Sequence, residues 1–380
     1  MFGAICCGWV ADNYGRRIIL MPCYITVMVV GFTSSFLTNI YGILACRLVI
    51  GIAFSGTYPQ MYVLLSECVG RKYRALAGLL FWLAVPASYI VGAMIAKACD
   101  TWKVLSIVST APFIVVILAY RLLPESFVWL EMQGDMDAVT ESLRSIGKWN
   151  RRPLPDDVIL PSPQVTVSGV EKHKSSPLDL FRTRALALST CVQFGAWVIV
   201  GLVYYGLTLE AQDLGGDFYL DYILLSVVDI PGIIVGMLIA HYWGRKRAVL
   251  PSMALGSSAC AAIAFVPRNL KLVRVTLGLM GKFLVSLSFY SMYTWSVELF
   301  PVHVRAEGMG LMQIASKFGG AIAPFISDSL LRVDEMLPYL VMGVSGLVST
   351  LAQLKLPETK LKCTASVEPV EGKDDQTGEA

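Results

Sequence analysis

GRR at residues 15–17 returns as GRK at 244–246, LPES at 123–126 returns as LPET at 356–359, and between them Glu67 and Arg74 return as Glu298 and Arg305. The landmarks keep their order at offsets of 229 to 233 residues. Sparse polar landmarks repeated at so constant a distance, with apolar sequence between them, indicate two copies of one membrane-embedded helical unit.

The apolar sequence says what kind of unit this is. Hydrophobic residues make up 55% of the 380 and charged residues 16%, and the mean hydropathy is +0.62, too apolar for a soluble domain of this length. Apolar stretches of about 20 residues, long enough to cross a hydrocarbon layer of about 30 Å as helix, predict spans at 18–37, 41–65, 75–96, 103–123, 185–209, 219–243, 247–266, 272–296, 308–331 and 336–356. A shortened one occupies 1–11. The reading is an all-α, multi-pass integral membrane protein of about 11 transmembrane helices.

Basic residues orient such a chain. Arg16, Arg17, Arg71, Lys72, Arg74, Arg245, Lys246, Arg247 and Arg305 occupy one set of short junctions, and eight more Lys or Arg lie in 124–184. The other set holds six, among them Lys97, Lys103 and Arg268. The bias predicts that the GRR and GRK turns, the long segment and the C-terminus are cytoplasmic and the N-terminus external, although the basic junction at 267–274 argues the other way. A net charge of +3 spread over these turns implies membrane lipid as partner and no nucleic acid. Of nine cysteines only Cys99 looks external, so no disulfide framework follows.

The landmarks also divide the chain into an N-terminal helical half at 1–123, a linker at 124–184, a C-terminal half at 185–356 and a tail at 357–380. The linker is polar and proline-bearing, and it opens with helical spacing at Val139, Leu143 and Ile146, the pattern of an amphipathic helix on the membrane face. The acidic tail lacks apolar periodicity and is expected to be disordered. From Ala185 to Trp243, 59 residues precede Gly244, whereas 14 precede Gly15. The first half is therefore expected to lack its first helix, as a fragment, an alternative start or an alternatively spliced isoform would.

These strings resemble the major facilitator superfamily, and most closely its organic cation, anion and zwitterion transporter (solute carrier) family. GWVADNYGRR at 8–17 is similar to that superfamily's loop between its second and third helices. YYGLTLEAQDLGGDFYLDYILLSVVDIPG at 204–232, WSVELFPVHVRAEGMG at 295–310 and PESFVWL at 124–130 resemble family signatures. The resemblance implies two six-helix bundles around a central cavity, short here by one helix, and a divergent or orphan member. The large external loop usual in the family between the first two helices is absent.

Each motif also has a physical reading. Gly15 allows a tight turn after a helix, and Arg16 and Arg17 are expected in the anionic headgroup layer; Gly244 and Arg245, their counterparts, are expected to gate with them. Asp12 can receive a basic partner or cap a neighbouring helix across the bundle interface, which would latch the outward-facing state; alternatively the arginines only set topology. His241 stands where Asp12 stands in the first copy and reads as an interfacial histidine. Glu67 with Arg74 and Glu298 with Arg305 suggest cytoplasmic charge pairs that gate by breaking and reforming, or that anchor statically.

Charges inside the expected spans are few: Arg47, Asp229, Lys282, Lys317 and Asp328. An intramembrane charge faces a cavity or a partner. Gln313, Lys317, Pro324 and Asp328 share one helical face. SKFGGAIAPF at 316–325 resembles the family's motif on its eleventh helix, in which cation transporters carry an aspartate and anion transporters an arginine where this chain has Lys317. That resemblance implies an organic anion, and Tyr290, at the place of a glutamate found in some cation members, agrees. Gln193, Trp197 and Tyr204 share a face that either lines the cavity or packs between helices. Arg47 and Lys282 stand where the family often has a basic residue.

Two functions follow. One is a secondary-active or facilitative transporter of a small organic ion, anion favoured, working by alternating access in the plasma membrane. The other is a non-transporting receptor or regulatory truncated isoform, whose partner would be an extracellular ligand at the acidic junction of Glu210, Asp213 and Asp217 or a full-length relative. The three histidines, His173, His241 and His303, are scattered, and no metal-spaced Cys pair or nucleophile motif accompanies them, so no enzyme, metal or cofactor is expected.

Overall fold

A computed structural model describes residues 3, 7, 10–11, 14–70, 73–120, 123–151, 177–209, 217–267, 269–301, 304–334 and 336–359. The described elements are all helical: α1 (Arg16–Ser34), α2 (Ile40–Cys68), α3 (Arg74–Ala98), α4 (Trp102–Thr110), α5 (Pro112–Ala119), α6 (Phe127–Gln133), α7 (Met136–Trp149), α8 (Arg184–Leu209), α9 (Phe218–Tyr242), α10 (Arg245–Ile263), α11 (Lys271–Leu299), α12 (Arg305–Leu331) and α13 (Leu337–Gln353), with a short 3₁₀ turn at Pro177–Phe181.

Side-chain caps set several starts, because the first amides of a helix lack intrahelical acceptors. Asn39 accepts from Tyr41 N, Thr101 from Val104 N, Ser126 from Trp129 N and Asp135 from Ala138 N. The span expected at 103–123 is divided at Pro112, which supplies the first position of α5. Pro22, Pro86, Pro231, Pro251 and Pro324 lie inside helices, as membrane helices tolerate.

Among the described residues, seven helical runs are long and apolar enough to cross a membrane: α1, α2, 76–98 of α3, α4 with α5, α8, α9 and α11. The expected spans at 247–266, 308–331 and 336–356 are present as α10, α12 and α13, but α13 has 17 residues and the other two are diluted by small and polar residues. Those residues serve packing. A side chain at Gly256 of α10 would meet Leu284 and Val285 of α11 at 3.1 and 2.9 Å, so glycine is what allows the two helices to approach.

The chain forms two compact units. The first comprises 1–174 and 217–230. Within it α1 packs on α2, α4 and α5, while α2 also meets α3 and α6. Cys7, Cys23, Val27 and Ala53 form a buried cluster there, backed by Ile19, Ile50 and Phe113. The second unit comprises 175–216 and 231–380. In it α8 runs along α11, α12 and α13, and α10 lies against α11 and α13. The units divide at 174/175, and the start of α9, through Ile230, is grouped with the first.

The expected amphipathic helix of the linker is α7, which buries Val139 and half-buries Leu143 and Ile146. At the other end, Pro357–Thr359 are ordered rather than part of a free tail: Trp295 Nε1 donates to the Pro357 carbonyl at 3.2 Å, and Thr359 is buried. Residues 360–380 lie outside the described residues.

Candidate functional site

The repeated landmarks build the same small structure in each unit. Gly15 and Gly244 have φ of +112° and +115°, a region open mainly to glycine. Each turn is followed by a helix whose first amides point at a carboxylate from the other landmark. Glu125 Oε1 accepts from Arg16 N and Arg17 N at 3.0 and 3.1 Å. Glu358 accepts from Arg245 N and Lys246 N at 3.0 and 3.1 Å. A carboxylate satisfies orphan amides and complements the positive end of the helix dipole.

The arginine side chains then turn back. Arg16 Nη1 reaches the Ala11 carbonyl at 3.4 Å and its Nε lies 3.3 Å from Glu67 Oε2. Arg245 Nη1 donates to the Ala240 carbonyl at 3.2 Å, and its Nη2 lies 2.5 Å from Glu298 Oε1. In the second unit the Thr359 hydroxyl adds a 2.6 Å hydrogen bond to Glu298 Oε2. Around the clasps, Arg17 lies over the Tyr120 ring, 4.6 Å from its centroid, and Lys246 Nζ donates to the Leu354 and Leu356 carbonyls at 2.8 and 2.7 Å.

These contacts correct one expectation. Arg16 is not a headgroup residue, since only 8% of it is exposed; a guanidinium removed from water needs a carboxylate, and Glu67 supplies it. Arg245 is likewise part-buried on Glu298. The carboxylates expected to pair with Arg74 and Arg305 are thus engaged by the arginines of the turns, within each unit. Asp12 and the side chains of Arg74 and Arg305 lie outside the described residues.

The expected cavity residues divide into two groups. Gln193, Trp197, Tyr204 and Tyr290 are buried inside the second unit, between α8 and α11. Trp197 Nε1 donates to Ser296 Oγ at 2.9 Å, and Ser296 Oγ lies 3.4 Å from Gln193 Oε1. The Tyr204 and Phe289 rings are 5.1 Å apart, and Phe289 also touches Tyr290. Lys282 Nζ sits 3.3 Å from the Tyr204 ring centroid and donates to Thr208 Oγ1 at 2.7 Å. This is helix packing rather than cavity wall. A helical stripe marks a covered face, and spacing alone does not say whether a ligand or a neighbouring helix covers it.

The second group is mixed in burial. Lys317 is exposed on α12, and its Nζ donates to Tyr205 Oη at 3.2 Å. On the same helix Gln313 is half-buried, Pro324 is exposed, and Asp328 pairs with Arg332 at 2.8 Å, both exposed. Arg47 in the first unit is exposed, whereas Asp229 is fully buried. His241 is exposed with its ring against Tyr242.

Glu125, Glu358, Thr359 and Tyr205 carry these arrangements without having been singled out as site residues. The first three lie in LPES and LPET, so their signal was present as a landmark. What was missing was the turn that brings them to the Gly-Arg amides more than a hundred residues away.

A profile of the Major Facilitator Superfamily matches residues 1–324. Solute carrier family 22 member 15 of Xenopus tropicalis is 32% identical over 371 residues, which cover 94% of this chain and 68% of that protein. The human solute carrier family 22 member 13 is 31% identical, over 94% of this chain and 63% of that protein. The chain thus spans about two thirds of the length of such curated relatives. Among solved structures, the fold is similar to that of the proton:xylose symporter XylE, with a TM-score of 0.67 at 16% identity over 94% of this chain and 84% of that one. A duplicated Gly-Arg clasp in an all-helical chain and a family profile over most of its length agree: the protein belongs to the major facilitator superfamily and, within it, to the solute carrier 22 family, a family of transporters and not of enzymes.

Proposed function

We propose that the protein moves small organic anions across the plasma membrane, with its C-terminus in the cytoplasm, by alternating access of its two halves. The observation that carries the choice of anion is Lys317. It is an exposed ammonium in the middle of α12, and its described contacts are the hydroxyl and ring of Tyr205, which leave its charge uncompensated. An ammonium so placed attracts a carboxylate or sulfonate and repels a cationic substrate. The phenol can orient it without neutralising it. In each half, a Gly-Arg turn clasped by its own two carboxylates supports motion as a rigid body, so that substrate binding shifts one half against the other instead of deforming it.

Uptake of a labelled aromatic carboxylate into cells or proteoliposomes tests the reading. Lys317→Asp should abolish anion uptake and Lys317→Arg should preserve it. Equal uptake by the parent chain and Lys317→Asp defeats the site. Surface binding of the same carboxylate with no flux would instead favour a receptor, or an isoform that acts through a full-length relative.

A further inference from the structure

The second unit carries another cationic site, at the end of its helices remote from the Gly244 turn. α10 spans about 28 Å from Arg245 to Ile263 at 1.5 Å per residue. Where it ends, the first turn of α11 and the residues that follow α12 border an open pocket of about 360 Å³. Ile263, Val266, Leu331 and Val333 supply the apolar part of its wall, and it contains two charged residues, Arg274 and Asp334.

Arg274 is 7% exposed. Of its five N–H donors, one uses a described acceptor: Nη1 reaches the Val266 carbonyl at 3.4 Å. Its guanidinium carbon lies 5.7 Å from the centroid of the Tyr339 ring. Nε is buried with no hydrogen-bond partner among the described residues. The carbonyl end of α10 and the ring offset part of the cost of burying this cation, but a buried charge is stable only with a counter-charge or a full set of hydrogen bonds. Asp334 is a poor counter-ion. It is exposed, and its Oδ1 accepts from Met336 N at 2.9 Å in its own turn, so water screens it while Arg274 acts from the interior.

We propose that this cavity binds an amphipathic anion, with its carboxylate or phosphate on Arg274 and its apolar part against Ile263, Val266, Leu331 and Val333. The volume falls within the range of about 300–1,000 Å³ usual for small-ligand sites. Both an anionic lipid headgroup and a free fatty carboxylate have this chemistry. The site is separate from Lys317 and does not depend on transport.

The full chain in phosphatidylcholine nanodiscs provides the test, by thermal unfolding with added octanoate and by native mass spectrometry after doping with phosphatidylglycerol. At least one probe should bind saturably. Octanoate alone identifies a soluble anion as ligand, and phosphatidylglycerol alone a lipid. Measured in the Lys317→Gln background, so that a carboxylate held at Lys317 does not contribute, Arg274→Gln should weaken binding at least tenfold and Asp334→Asn should strengthen it. If Arg274→Gln fails to fold, Val266→Trp, at a half-buried position of the lining, narrows the pocket with Arg274 intact and should give the same loss. Saturable binding of neither probe, or undiminished binding by the cavity variants, overturns the proposal.

Discussion

The two Gly-Arg clasps share a plan and differ in their closure. Both have a positive-φ glycine, a carboxylate on the first amides of the next helix and an arginine turned back onto a second glutamate. In the first unit that last contact is a 3.3 Å approach of Arg16 Nε to Glu67 Oε2. In the second it is a 2.5 Å hydrogen bond of Arg245 to Glu298, reinforced by Thr359. The difference originates one residue after the capping glutamate. Ser126 accepts from Trp129 N and starts α6, whereas Thr359 donates its hydroxyl to the clasp. Duplication has preserved the cap, which any helix start of this geometry requires. It has let the flanking hydroxyl diverge, so the C-terminal clasp carries a hydroxyl contact on its second glutamate.

The largest effect that would break this contrast is expected at Glu298. Glu298→Ala leaves a part-buried guanidinium without its partner and also strands the Thr359 hydroxyl, and should cost about 4 kcal/mol of stability, against about 3 kcal/mol for Glu67→Ala, which strands the equally buried guanidinium of Arg16. Thermal unfolding of the purified variants decides, and equal losses would remove the asymmetry. Next come the caps. Glu125→Ala and Glu358→Ala should each cost about 2 kcal/mol and by nearly the same amount, because each leaves two part-buried amides without their acceptor; a clear inequality would mean that the shared plan is not energetically shared. Thr359→Val should cost about 1 kcal/mol and make the second clasp resemble the first. A double-mutant cycle with Glu298→Ala should show the two changes to be non-additive.

The smallest effect is expected away from the clasps, in the first unit, where Lys97 Nζ lies 3.2 Å from Asp217 Oδ2 with both groups about half exposed. The Lys97 hydrogen bond holds the Asp217 carboxyl below its ordinary value, helped by the Tyr219 amide. A depressed carboxyl contributes its stability above the unfolded pKa and loses it as pH falls through the folded one. The difference in unfolding midpoint between the parent and Lys97→Met should therefore be constant near neutrality and vanish in acid. A difference that persists in strong acid would show that the lysine acts by packing.

Much of the fold was legible in the sequence for a simple reason. Each half must bury its backbone as helix in lipid, so apolar runs and basic junctions show where helices lie, and the repeat shows that there are two such halves. α10 and α12 are recognisable by pattern although their composition is less apolar, because small residues permit close helix contact. The site was legible in part. Lys317 stood out because an ammonium in an apolar helix is costly, whereas Gln193, Trp197 and Tyr204 gave the same helical stripe that a cavity wall would give.

What the sequence determined by itself was local: helix positions, the glycines required for φ above zero, the duplicated landmarks and the charges that lipid does not tolerate alone. The tertiary structure decided partners. That Glu125 caps α1, that Glu67 holds Arg16 and that Arg274 borders a cavity all depend on groups brought together across a turn, many residues or several helices. A charge announces its need for a partner in the sequence, but the partner is chosen by packing, since only the folded chain fixes which carboxylate or cavity comes within a few ångströms of it.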